Sequence, residues 1–412
     1  MPNKYQQLMG KLQELPVCSI FTTGRTGSDL LQSLLDSHPE VLNFNGHLMF
    51  QSFWRNSVCV GAGSYAPRDL IHEFIGKNIE LLRSRYDLLE RKHQLGESGD
   101  QSLDIDLERF TDDAVQLLET TTPSAKNTLR AIYGAYGMAL GQDLGQKRVI
   151  LHHPHDWSEL PATLADFPDS KVICMTRDPR ANFVSGIEHH RKSNTWVDTD
   201  NGGHLFFYIN RILRDARPLE AYGNDYKVIR IEDLGNQDVL SSLCRWLDIS
   251  YDECLTRSTW GGLSWKGDQL SRVNREPGFS SEMLKNDWQS RLGSIDKFVL
   301  NYIMGPRLKY YRYGGSRSGV FGLLLAPFLI LLPLKYERRF WSPGYILGRL
   351  RKGQAKIVGT NGLNYLRRVR AFLKFYAETV SGKKFTQPLL VAEPSSEDVG
   401  ERSAWVASGT ST

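Results

Sequence analysis

The stretch FTTGRTGSDLLQSLLDSHPEV, residues 21–41, runs from a glycine turn with one arginine and several hydroxyls into an amphipathic helix. A strand, a tight turn and a helix start together make an anion site. Gly24 and Gly27 let the backbone bend sharply and approach a ligand closely. The unpaired N–H groups of the turn and of the first helical residues point at one spot, where the helix dipole adds partial positive charge. Arg25 supplies a permanent cation with a planar fork of donors, and Thr26 and Ser28 supply hydroxyls. The triphosphate-loop pattern G-x-x-x-x-G-K-[ST] is absent. No strand ends in a magnesium-binding Asp with the usual water-positioning parts, so a kinase or nucleoside triphosphatase does not fit.

A second segment, KVICMTRDPRANFVSGIEHH at 171–190, repeats the strand–turn–helix logic. Arg177 stands at the strand's end, and Pro179 suits a first helical turn, where its missing N–H costs nothing. Ser185, eight residues on, is near enough to face the same anion. The bland alternative for Arg177 is a surface ion pair with Asp178. Two anion cradles on one sheet suggest a ligand with phosphates at both ends.

The elements that must hold these cradles are legible as apolar runs. VCSIFT (17–22), RVILHH (148–153), KVICMT (171–176) and YKVIRI (226–231) read as buried strands. Helical patterns lie at 29–36, 68–92, 107–119, 126–141, 203–217 and 237–247. Strands alternating with helices specify an α/β fold, a mostly parallel sheet covered on both faces, with ligands beyond the carboxyl ends of the strands.

The pair TTGRTGSDLL and RDPRANFVSG resembles the two signature motifs of sulfotransferases that use 3′-phosphoadenosine 5′-phosphosulfate (PAPS). The first is similar to their 5′-phosphosulfate loop and the second to their 3′-phosphate site. YKVIRIEDL (226–234) and LCRWLDISYDE (243–253) resemble segments that follow in that family. The likeness covers roughly 16–313 and is nearest to the bacterial and carbohydrate-type members, which carry Arg in the first loop. It implies a P-loop-like fold and metal-free sulfuryl transfer from PAPS to an alcohol or amine. It further implies that Arg25 and the backbone of Thr26, Gly27, Ser28 and Asp29 hold the 5′-phosphosulfate, with Arg177 and Ser185 on the 3′-phosphate. Asp29 departs from the family's usual Ser or Thr; its carboxylate suits a helix N-terminus but repels a neighbouring phosphate.

A general base must take the acceptor's proton. Bacterial relatives place a Glu in an N-G-E-like context after the first helix, and here NFNGHLMF puts His47 at or beside that position. Cytosolic relatives place a His at the end of the strand before the 3′-phosphate motif, and here ILHHPHDW offers His152, His153 and His155. The candidates are His47 and one of His153 or His155; a lone histidine is more often structural. Lys266, in SWKGDQL, is a weaker candidate for a loop over the nucleotide. Phe44, Phe50, Phe53 and Trp54 line the acceptor pocket or belong to the core. A second reading keeps the cradles without a working base: a catalytically silent, membrane-associated binding module.

The 412 residues, 41% apolar and 24% charged, suit a globular protein with a substantial core. Five scattered cysteines without a C-x-x-C pair argue against a disulfide framework or zinc site. The net charge of +5 conceals an asymmetry. Residues 335–385 hold 13 Lys and Arg against Glu337 and Glu378, a surplus of +11 that leaves −6 elsewhere. This counts against a nucleic-acid groove in the main domain. The expected organisation is a catalytic domain over 1–315 with a helical insertion at about 66–145, a hydrophobic and basic extension over 316–385, and a disordered tail over 386–412. The start of the chain has no signal-peptide pattern, so the enzyme portion reads as cytoplasmic. SGVFGLLLAPFLILLPL (318–334) is uncharged but too short for a bilayer span and interrupted by Pro327 and Pro333. Two readings are open for 318–380: docking on the anionic inner face of a membrane, or packing of the apolar stretch on the domain with a solvated basic face. The expected partners are a small-molecule, carbohydrate or lipid acceptor; the oligomeric state is not legible.

Overall fold

Five short strands form a parallel sheet: β1 (Val17–Phe21), β2 (Val41–Asn43), β3 (Val149–His155), β4 (Lys171–Thr176) and β5 (Tyr226–Arg230), in the order β2-β3-β1-β4-β5. The computed structural model describes residues 3–59, 66–84, 95–193, 225–267, 276–284, 288–314, 319–382 and 384–392. Every residue of β1 is buried, as a central strand covered on both faces must be. Chain order leads from β1 out to β2 and β3 on one side, then across to β4 and β5 on the other. The sheet therefore reverses direction at β1, where open parallel sheets bind ligands beyond their carboxyl ends.

The helices are α1 (Lys4–Glu14), α2 (Ser28–Leu35), α3 (Phe50–Phe53), α4 (Pro67–Leu82), α5 (Leu107–Glu119), α6 (Ala125–Ala139), α7 (Leu160–Asp166), α8 (Pro179–Ser193) and α9 (Gln237–Leu247), followed by α10 (Trp288–Arg291), α11 (Ser294–Ile303), α12 (Gly305–Tyr310), α13 (Gly319–Ile330), α14 (Pro343–Arg351) and α15 (Ala355–Val380). The sequence reading finds the α/β class and four of the five strands. It misses β2, only three residues long, and α1, whose N-cap is Asn3 accepting from the Gln6 N–H. The expected helix at 203–217 and the end of the one at 68–92 lie outside the described residues.

Two large cores flank the sheet. One joins α1, α4, α5 and α6 to β2 and includes Phe44, Phe50, Phe53, Phe74, Tyr133 and Tyr136. Phe44, Phe50 and Phe53 are thus core residues, not pocket lining. The other lies under α2 and α9. α4, α5 and α6 fall within the stretch 66–145.

The helices over 319–380 share a third core with α8, which follows β4. Phe183, Val184 and Ile187 of α8 meet Val299 and Leu300 of α11, Ala326 and Ile330 of α13, and Val369 and Phe372 of α15. Arg368 is fully buried here. It forms a two-pronged pair with Glu337 (2.7 and 3.1 Å) and donates to the carbonyls of Ile330 and Leu332 at the end of α13. A buried pair satisfied this completely has little desolvation cost left uncompensated. Of the tail expected over 386–412, residues 393–412 lie outside the described residues; residues 387–390 are hydrogen-bonded to β5 and around the end of α12. Pro388 O accepts from Val228 N, Leu390 N donates to Val228 O, and Gln387 accepts from the hydroxyls of Tyr310 and Tyr311. The free edge of β5 offers unpaired backbone groups, and residues 387–390 cover them.

Candidate active site

The turn after β1 is a chain of left-handed residues: Gly24, Arg25 and Gly27 have φ of +83°, +58° and +87°. Such alternation turns successive N–H groups toward one side, making an anion-binding concavity at the start of α2. Thr22 Oγ1 accepts from Gly24 N (3.0 Å) and is hydrogen-bonded to Thr26 Oγ1. The Thr26 hydroxyl therefore braces the turn from inside and is fully buried. Gly27 is needed twice: its φ disfavours any side chain, and a Cβ there would lie 2.6 Å from Ile231 Cδ1. Ser28 opens α2 and is buried.

Arg177 stands beyond the end of β4, the strand beside β1. It is buried, 8% exposed. Burial pulls its guanidinium below the usual arginine range, Glu232 pushes it back, and the positive charge of Arg25 lowers it again. The two arginines are thus close enough to repel. Arg177 is buried, so it is not a surface residue; its neighbour Asp178 is clasped by Arg180, with Nε to Oδ1 at 2.9 Å and Nη2 to Oδ2 at 2.7 Å. Arg180 also donates to Asn301 Oδ1 and the Tyr313 carbonyl. It fixes the second turn from behind, a role the sequence did not reveal. Glu232 accepts from Asp178 N (3.3 Å) and from the Tyr313 hydroxyl (3.1 Å), and burial raises its carboxyl above the usual range. Ser185 lies half-buried on α8, two turns into the helix. Lys266, half-buried, follows a small hairpin of Thr259–Trp260 and Leu263–Ser264; the loop beyond it falls outside the described residues.

The histidines divide cleanly. β3 extends to His155, two residues beyond the expected end, and its register with β1 shifts between the Ser19–His152 and Phe21–His155 pairs. His152 faces the α6 side, fully buried, hydrogen-bonded through Nδ1 to the Tyr133 hydroxyl at 2.9 Å. Burial lowers its pKa to about 3, so it stays neutral and stands apart from the site. His153 and His155 face the other way and meet His47 from the loop after β2. The rings of His47 and His155 stack at 3.8 Å between centroids, and those of His47 and His153 sit edge-on at 4.5 Å. His155 has a φ of +66°, a strained backbone for a non-glycine residue.

Asp29 supplies the link that sequence reading did not foresee. Its carboxylate reaches the histidines: Oδ1 lies 2.5 Å from His47 Nε2 and 4.0 Å from His153 Nδ1. Burial raises the Asp29 carboxyl, but charge and hydrogen bonding from His47, with His153 and His155 behind it, hold it well below the usual range. Gln32, one turn later on α2, orients His153. Its Nε2 donates to Asn43 Oδ1 (2.9 Å) and Phe44 O (2.7 Å), so its Oε1 accepts from His153 Nδ1 (2.7 Å). Asp29 and Gln32 share one helix face at i and i+3, a spacing that gains meaning only with the histidines opposite it.

The Sulfotransferase family model matches residues 16–253. No curated protein matches this chain. Two solved structures resemble it distantly. The sulfotransferase domain from the Synechococcus PCC 7002 olefin synthase is 19% identical, with a TM-score of 0.37 over 67% of this chain and 87% of that one. The sulfotransferase domain from the curacin biosynthetic pathway is 16% identical, with a TM-score of 0.35 over 67% of this chain and 97% of that one. The family match takes in both arginine turns and the histidines between them, spans more than half of the chain, and makes this protein a member of the sulfotransferase family.

Proposed function

We propose that this protein moves the sulfuryl group of PAPS to a hydroxyl or amine of an acceptor. The reading rests chiefly on Arg25 and Arg177. Two guanidiniums within electrostatic reach, one of them buried, stand at the carboxyl ends of adjacent strands, and such a pair is stabilised by an anion held between or beside it. In this reading the turn over 24–29 grips the 5′-phosphosulfate, while Arg177 and Ser185 take the 3′-phosphate and select against nucleotides lacking it.

The reaction is an in-line displacement. The acceptor oxygen attacks sulfur, the bond from sulfur to the 5′-phosphate oxygen breaks, and that oxygen keeps the electron pair, stabilised by Arg25 and the turn's N–H groups. The acceptor's proton passes to His47. With Nε2–H of His47 directed at Asp29 Oδ1, the basic lone pair is on Nδ1, and the Asp29 carboxylate stabilises the imidazolium that forms. His153 and His155 are the alternative acceptors of that proton. No ligated metal takes part in these steps.

The acceptor is read as a carbohydrate or lipid-linked sugar at a membrane surface. Of the 16 large hydrophobic side chains that are exposed among the described residues, 14 lie between Val320 and Val380, the same segment that holds the basic surplus. Gly322, Ala326 and Ile330 seat α13 on the domain, while Phe321, Leu324 and Phe328 are 66–70% exposed. One side of α13 packs on the domain and the other is exposed, which supports reading the exposed side as a lipid-facing surface. Among the described residues no helix is long and apolar enough to cross a membrane.

The test is transfer of labelled sulfate from PAPS into glycolipid or oligosaccharide acceptors, with Arg25→Ala as control. Product from the wild type and a loss of about 10²-fold or more in the variant are expected, the usual cost of removing a transition-state donor. Tight binding of adenosine 3′,5′-bisphosphate without transfer to any acceptor would favour the silent binding module instead.

A further inference from the structure

Three imidazoles converge beside the phosphate turn more closely than a single proton acceptor requires. One ring nitrogen from each of His47, His153 and His155 lies within 4.8 Å of the other two. His155 Nδ1 is 3.3 Å from His153 Nε2. Two nitrogens about 2.0–2.1 Å from a shared tetrahedral zinc are separated by roughly 3.3 Å, so this pair already has the spacing of metal ligands.

The surroundings match as well. A ligating histidine donates its other ring N–H to a carboxylate or carbonyl, which fixes tautomer and ring angle. His47 has that partner in Asp29 (2.5 Å) and His153 has it in the Gln32 amide oxygen (2.7 Å). The amide's orientation is set by its own donations to Asn43 and Phe44. These bonds aim His47 Nδ1 and His153 Nε2 away from their anchors. The rings come from two separate elements, the loop after β2 and the end of β3, joined by Leu48 N donating to His153 O at 3.0 Å. His47 and His155 are half-buried, so a cation has a way in.

We infer that His47, His153 and His155 bind a divalent transition cation of the zinc class, and that its occupancy switches off the proposed transfer. Neutral imidazole donors select zinc, cobalt, nickel or copper over magnesium or calcium. The consequence for activity rests on the reading of His47 as base: its Nδ1 lone pair serves either the acceptor's proton or the metal. The binding itself does not depend on that reading.

The experiment uses full-length protein stripped with a chelator and titrated with Co²⁺, whose visible absorption is strong in tetrahedral nitrogen sites. One equivalent per chain with that absorption is expected. His155→Ala, at a half-exposed position, should lower the affinity by about 10-fold or more, while adenosine 3′,5′-bisphosphate still binds. His153→Ala gives a second, independent comparison. Zn²⁺ should inhibit sulfuryl transfer at the same occupancy, and chelator should restore it. Absence of tetrahedral Co²⁺ absorption, or equal affinity in wild type and both variants, overturns the site. A filled site with undiminished transfer overturns the switch. Loss of nucleotide binding in the wild type would count against the sulfotransferase reading and leave the metal titration standing.

Discussion

Asp29 Oδ1 lies 2.5 Å from His47 Nε2, joining the first turn of α2 to the loop after β2. One residue thus follows the glycine turn through its backbone and reaches the candidate base through its side chain. Asp29→Asn keeps the shape and removes the charge. Turnover should fall by about 10²-fold, within the range supplied by a positioned proton acceptor, with affinity for adenosine 3′,5′-bisphosphate changed less than about 2-fold. Steady-state kinetics beside calorimetric titration check this. A matching loss of nucleotide affinity would mean that Asp29 serves the cradle instead.

Arg177 carries the proposed selectivity for the 3′-phosphate. Arg177→Ala should weaken adenosine 3′,5′-bisphosphate by about 10²-fold, a loss of about 2.7 kcal/mol, in the range of a charge-assisted contact made in a desolvated site. Adenosine 5′-phosphosulfate, lacking that phosphate, should lose less than about 3-fold. Competition titrations of the two ligands against wild type and variant give the ratio. Equal losses for both would assign Arg177 to the 5′ end or to folding.

The parts of this arrangement that were legible in the sequence are those fixed by local chemistry. The turn over 24–29 announces itself because glycine, arginine and hydroxyl residues between a β-branched run and an amphipathic helix have few other uses. The second turn, at 177–179, is legible because an arginine closes a β-branched run and Pro179 suits the first turn of the helix that follows. The pairing of Asp29 with His47 was not legible, because 18 residues and a strand separate them, and a carboxylate at a helix start has an adequate local explanation. Gln32 was invisible for a similar reason: a glutamine on a helix face is ordinary until the strand opposite it is known. His152, His153 and His155 could not be told apart without the register shift between β1 and β3, which decides which rings face α6 and which face the site. β2 went unseen because three residues carry no period.

His152 makes a separate claim about stability. Burial lowers its pKa from 6.5 to about 3, so the folded state keeps it neutral where the unfolded chain would protonate it. A base with a depressed folded pKa contributes stability that is present above the unfolded value and is lost as pH falls toward the folded one. Between pH 7 and 3 the wild type should lose about 4 kcal/mol through this group. His152→Leu leaves the Tyr133 hydroxyl without its partner, a cost that does not vary with pH, and so should flatten the slope. Urea unfolding at several pH values measures it; parallel curves for the two proteins would remove the assignment.

The exposed side of α13 and the basic face beside it make different contributions to membrane docking, and the two can be separated. Leu324 and Phe328 are 66% and 70% exposed, and moving them into an acyl boundary removes apolar area from water whatever the headgroup charge. Arg367, Arg370 and Lys374 lie exposed on α15 among Leu363, Leu366 and Leu373. Each basic residue adds about 1 kcal/mol, and only near an anionic surface at modest salt. Leu324→Glu with Phe328→Glu should therefore reduce partitioning to both neutral and anionic vesicles by about 10-fold or more. Arg367→Gln with Arg370→Gln and Lys374→Gln should reduce only the anionic case, and high salt should abolish that difference. All five positions point away from the third core, so melting temperature and nucleotide binding should stay near wild type. Vesicle flotation that is identical for wild type and both variants would assign the apolar face to another partner.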